Sequence, residues 1–200
     1  MHTAEAPGRP AGRTSPSLLD GDRRRRWLPW SLSLLRLVLG PFYVLALEMG
    51  AALPFVVAVV AAVSDFVDGR LARRLGAASR AGAVLDVVGD GVFVVASLGA
   101  LASLGIVTWL LPIAVVLALA GLAVASLQAR RPADAVPAGT RPRGPADRAG
   151  HAAGIVNYGA VLAGSAAVAG WIDGGWILPA SVAVAVLNVS PLALRLAHRR

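Results

Sequence analysis

Cysteine and lysine are both absent from the 200 residues. The first absence excludes disulfides and thiolate metal sites, so any bound metal must rest on oxygen or imidazole donors. The second leaves arginine as the whole positive complement, and acidic residues are scarce enough that the formal net charge is +8. Charged residues make up only 15% of the chain against 56% hydrophobic residues, and the mean hydropathy is +0.68, which is too apolar for an ordinary soluble domain. A basic chain of this kind can suggest nucleic acid. Here the arginines fall in short segments between apolar runs, as in connections beside anionic lipid headgroups, and nucleic acid is not expected as a partner.

Apolar runs of Ala, Val, Leu and Gly span about Leu28 to Met49, Ala51 to Phe66, Ala83 to Leu104, Ile106 to Leu127, Ala152 to Trp171 and Trp176 to Leu196. Each approaches the roughly 20 residues a membrane helix needs, and the second continues into the polar stretch Asp65 to Leu75. The first is too long for a signal peptide and contains Arg36. These runs predict an all-α integral membrane protein, a bundle of six transmembrane helices over residues 28–200. Residues 1–27, rich in Pro, Gly, Arg and Ser, read as a flexible basic arm to which no fold is assigned.

Arginine placement tests the count. Arg23 to Arg26 precede the first run, Arg70, Arg73, Arg74 and Arg80 join the second and third, Arg130, Arg131, Arg141, Arg143 and Arg148 join the fourth and fifth, and Arg195, Arg199 and Arg200 follow the sixth. The alternate connections carry only Glu48 and Asp173. Positive residues collect on the cytoplasmic side, so both termini are expected there, in a multi-pass protein of the cell membrane.

Asp65, Asp68, Asp86 and Asp90 all fall at the cytoplasmic ends of the second and third runs. Carboxylates there are costly unless they pair, bind metal or line a polar cavity. Helical spacing puts Asp65, Asp68, Gly69 and Ala72 on one face and Gly82, Asp86 and Asp90 on one face of the next helix. Facing one another, they would repel; around Mg²⁺ or Mn²⁺ they make an all-oxygen site able to grip a diphosphate. Gly69, Ala72 and Gly82 clear room, and Arg73 offers donors to phosphate oxygens. Simple pairing with Arg70, Arg73, Arg74 and Arg80 is the bland alternative for Asp65 and Asp68. It does not serve Asp86 and Asp90, whose i, i+4 like charges sit in an otherwise apolar helix.

The stretch from Asp65 to Asp90 resembles the signature of the CDP-alcohol phosphatidyltransferases, D-x-x-D-G-x-x-A-R, eight residues, G-x-x-x-D-x-x-x-D. Asp65, Asp68, Gly69, Ala72, Arg73, Gly82, Asp86 and Asp90 fill every specified position, with Arg74 to Ala81 as the spacer. Pro29, Leu32, Ser33 and Arg36 keep most of the family's P-N-x-L-T-x-x-R, with Trp30 in place of Asn. The resemblance implies that Asp65, Asp68 and Asp86 bind metal, that Asp90 completes the site as general base, and that Gly69, Ala72 and Arg73 contact CDP. A CDP-linked lipid would donate, and a small or lipid alcohol would accept. Family likeness further implies a homodimer.

Glycerol 3-phosphate and inositol phosphate are among the family's acceptors, and Arg36, Arg130, Arg131, Arg141 and Arg143 are candidate acceptor contacts. Gly91 follows Asp90 where glycerol-phosphate enzymes usually carry Lys. Arg36 is alternatively a snorkelling side chain. His151, Asn157 and Tyr158 read as interfacial anchors or as lining for the acceptor. Two other classes use similar residues. Intramembrane prenyltransferases need more helices and two distant Asp motifs, and a carboxylate-relay transporter needs access from both sides.

Overall fold

The computed structural model describes the backbone of residues 16–50, 52–75, 80–128 and 145–197, and the side chains of residues 31, 33–50, 52–67, 87–124 and 152–193. The described chain forms α1 (Pro16–Met49), α2 (Leu53–Leu75), α3 (Arg80–Ser103), α4 (Leu110–Gln128), α5 (Pro145–Val168) and α6 (Ile177–Ala197). No strand occurs among the described residues. Leu- and Ala-rich runs favour helix intrinsically, and a helix satisfies its own backbone bonds wherever water is absent.

Two boundaries differ instructively from the apolar runs. Helix α1 starts at Pro16, so its helical backbone takes in Arg23 to Arg26, which the composition reads as an arm. Proline suits a first helical position, and arginine and leucine are good helix formers. Helix α4 starts at Leu110, later than the apolar run, because Gly105 ends α3. Gly105 has φ 73°; its N–H bonds Ala102 O and that of Ile106 bonds Leu101 O, both at 3.0 Å. That pair of bonds is a Schellman cap, which requires the left-handed conformation glycine adopts freely. Gly170 (φ 72°) closes α5 in the same way.

The three described connections lie at one end of the bundle. Thr108 N–H, between α3 and α4, donates to Ser181 Oγ on α6 at 2.9 Å. Trp171, between α5 and α6, meets Phe55 at the start of α2 edge-on, with ring centroids 5.0 Å apart.

Helix α1 packs on α2 and α3, α6 packs on α4 and α5, and α3 and α2 tie these groups together through α4 and α5. Tyr43, Ala58, Phe93, Leu98, Leu101, Leu111 and Val161 form much of the continuous core. Outward faces are also apolar: Val38, Leu45, Val63, Val116, Val124, Ile155 and Val186 are all exposed. Among the described residues, no helix is long and apolar enough to cross a membrane.

Candidate active site

The inward face of α1 reads Ser33, Arg36, Gly40 and Tyr43, a 3–4–3 spacing that keeps one side of a helix turned the same way. All four are buried. Glycine contacts bring this face close to α3. A Cβ on Gly89 would lie 2.6 Å from the Ser33 carbonyl oxygen, and one on Gly40 would lie 3.2 Å from Phe93 Cα. The two contacts bracket Arg36. They hold it within reach of Asp90, the residue after Gly89.

Arg36 is fully buried, whereas the side chains of Asp65 and Asp90 are 41% and 31% exposed. Its Nη1 donates to Asp65 Oδ1 at 2.8 Å and to Asp90 Oδ1. One guanidinium nitrogen on α1 thus joins carboxylates from α2 and α3, with the cation behind and the carboxylates toward the open side. A buried arginine requires such partners, because removing a charge from water costs several kcal/mol unless opposite charge and hydrogen bonds replace the solvent.

Helix α5 supplies a fourth wall. Tyr158 Oη donates to Asp90 Oδ1 at 3.1 Å, and its ring stacks on Phe93 with centroids 5.8 Å apart and planes 17° apart. Phe93 meets Tyr43 edge-on at 6.1 Å. Tyr43 Oη lies 2.6 Å from Ser165 Oγ. Ser165 spends its single hydroxyl proton on Val161 O, so Tyr43 is the donor and ties α1 to α5.

The donor set suits a hard divalent cation. Asp65 and Asp90 converge on one cationic atom although they lie 25 positions apart in sequence. Among the described residues, neither Oδ2 accepts a hydrogen bond. Oxygen ligands of this kind fit Mg²⁺ or Mn²⁺. No group of three or more His, Cys, Asp or Glu forms among the described residues. The side chains of Asp68, Gly69, Ala72, Arg73, Gly82 and Asp86 lie outside them, as do Arg130, Arg131, Arg141 and Arg143 entirely.

Arg36 stands where Asp65 and Asp90 meet, engaged with the protein's own carboxylates. Tyr158 was legible only as an anchor or a lining residue. A sharper signal was available, since the chain has two tyrosines and a phenol in an apolar helix needs a hydrogen-bond partner. Asn157 turns elsewhere. It exchanges two amide hydrogen bonds with Asn188 on α6, at 2.9 and 2.8 Å. The pair borders a cleft of about 170 Å³ among α4, α5 and α6, otherwise lined chiefly by apolar residues such as Leu119, Leu122 and Leu192. Leu119 also closes against Gly91, whose Cβ, if present, would be 2.7 Å from Leu119 Cδ1.

Comparison with known proteins identifies the family. The family model described as CDP-alcohol phosphatidyltransferase matches residues 26–187. A CDP-diacylglycerol–glycerol-3-phosphate 3-phosphatidyltransferase of Haemophilus influenzae is 39% identical over 75 residues, covering 36% of this chain and 40% of the relative. The Escherichia coli K12 protein of the same name is 45% identical over 71 residues, 34% of this chain and 39% of the relative. The matched stretches thus span about two-fifths of those relatives' length.

Proposed function

Since the chain belongs to the CDP-alcohol phosphatidyltransferase family, we propose that it transfers a phosphatidyl-type group from a CDP-linked lipid to an alcohol and releases CMP. The observation that carries this reading is the meeting of Asp65 and Asp90, from the two halves of the motif, on Arg36.

In this reading the diphosphate of the donor lies on the open side of the two carboxylates, with Gly69, Ala72 and Arg73 against the CDP moiety. Asp90 accepts the proton of the acceptor hydroxyl. The resulting oxygen forms a bond to the lipid-bearing phosphorus, the bridging P–O bond breaks, and the electron pair leaves with CMP. Asp65, Asp68, Asp86 and Asp90 would hold Mg²⁺ or Mn²⁺, which when bound neutralises diphosphate charge. Arg36 stays behind the carboxylates and fixes their separation.

Glycerol 3-phosphate is the first acceptor to test, because the similar relatives carry it in their names, with inositol phosphate next. Arg130, Arg131, Arg141 and Arg143 are the cations offered to such a phosphate.

A bilayer location is part of the proposal. It is supported by the apolar outward faces and by exposed Trp109, Trp171 and Trp176 at the end with the short connections, as in an interfacial aromatic belt. The arginine-bearing connections would lie at the opposite, cytoplasmic end, with the carboxylates near them.

The test is purified protein in lipid vesicles with CDP-diacylglycerol, Mg²⁺ or Mn²⁺ and a panel of alcohols, reading CMP release. Acceptor-dependent release, abolished by chelation and restored by either ion, is expected. No release with any alcohol in the presence of both ions would overturn the assignment.

A further inference from the structure

We propose that Tyr158 is a positioning residue for Asp90: together with Arg36 it occupies Oδ1 and so turns Oδ2, with its two lone-pair sites, toward the open side for the incoming hydroxyl and the cation. The inference rests on the reading of Asp90 as the base and adds a residue from outside the aspartate motif.

Three observations carry it. First, Arg36 Nη1 and Tyr158 Oη both donate to the same oxygen, Oδ1, while Oδ2 accepts nothing among the described residues. A carboxylate oxygen has two lone-pair sites, so these donors fill Oδ1. Secondly, they come from different helices, α1 and α5. A terminal carboxylate torsion is broad and roughly two-fold, so one donor alone would let the oxygens exchange roles. Two donors from separate helices fix which oxygen faces the open side. Thirdly, the phenol is itself held. Its ring stacks on Phe93, which lies three residues beyond Asp90 on α3 and therefore on nearly the same side of that helix. The hydroxyl and the carboxylate thus share one support.

A tyrosine that merely satisfied its own hydroxyl would give a different result on mutation, because its loss would weaken folding or donor binding without a selective effect on turnover. Tyr158→Phe keeps the stacked ring and removes the hydrogen bond. The expected result is a kcat for CMP release lower by roughly tenfold, the size expected from one lost hydrogen bond to a charged group, with KM for the CDP-lipid within about twofold and the melting temperature unchanged. In an Asp90→Asn background the same change should add nothing, since there is no base left to orient. Tyr158→Leu, which also removes the stack, should melt lower than Tyr158→Phe.

Wild-type kcat in Tyr158→Phe would overturn the proposal, as would an equal loss in the Asp90→Asn background. Retention of wild-type turnover by Asp90→Asn itself would instead remove the base, and the positioning role would fall with it. That failure is seen in the single Asp90 variant and so is distinguishable.

Discussion

A guanidinium with no solvent exposure needs its charge met by fixed neighbours, and Arg36 meets it with carboxylates from two other helices. Replacing it by glutamine would leave Asp65 and Asp90 facing each other without their cation. Breaking such a pair costs about 3 to 5 kcal/mol in a buried setting, and the partial exposure of both carboxylates places this case at the lower end. Arg36→Gln should therefore melt well below the wild type in chelator, and Mg²⁺ should recover part of the loss; equal melting of both proteins in chelator would dismiss the role. The two aspartates should separate by kinetics. Asp90→Asn is expected to lower turnover by about 10² to 10⁴ while retaining affinity for the CDP-lipid, whereas Asp65→Asn should lose both. Lipid affinity and CMP release measured side by side decide this, and parallel loss of affinity would make Asp90 chiefly a ligand.

Helices position these side chains through backbone proximity. The α1–α3 crossing is tight because Gly89 lies against the Ser33 carbonyl and Gly40 against the Phe93 backbone, and close packing of this kind relies on residues without side chains. Gly89→Ala meets backbone, which cannot rotate away, so the helices must separate. Overpacking typically costs about 1 to 3 kcal/mol. Activity should fall further than stability suggests, because the same separation draws Arg36 from Asp90. Alanine at Gly99, where an added Cβ meets nothing within 4 Å, is the control and should act like the wild type in both melting and CMP release. Indistinguishable Gly89 and Gly99 variants would show that the crossing tolerates the extra carbon.

On the scale of the whole molecule, the apolar exterior and the Trp-bearing end define an axis, with tight caps at one end and the motif carboxylates toward the other. Absence of cysteine makes that axis directly measurable, since any label reports only an introduced thiol. Gly174→Cys, between α5 and α6, should label from outside the cell, and Ala77→Cys and Ala129→Cys from the cytoplasm. Labelling of Gly174→Cys and Ala77→Cys from the same side would contradict the proposed bilayer arrangement.

The sequence by itself determined the helical class, the number of helices among the described residues and the family, because apolar runs and the Asp65-to-Asp90 spacing are local properties of the chain. Even Gly105 and Gly170 are legible as punctuation, although only the backbone conformation shows them to be Schellman caps. Tertiary structure decided the rest. Arg36, offered by sequence to an acceptor, joins the motif carboxylates; Tyr158 reaches Asp90 from 68 positions away, while its neighbour Asn157 pairs with α6. Both outcomes depend on how closely α1 and α5 approach α3. That distance is set by which glycines and aromatic rings meet across the crossings, a pairing between distant segments that periodicity within one segment does not encode.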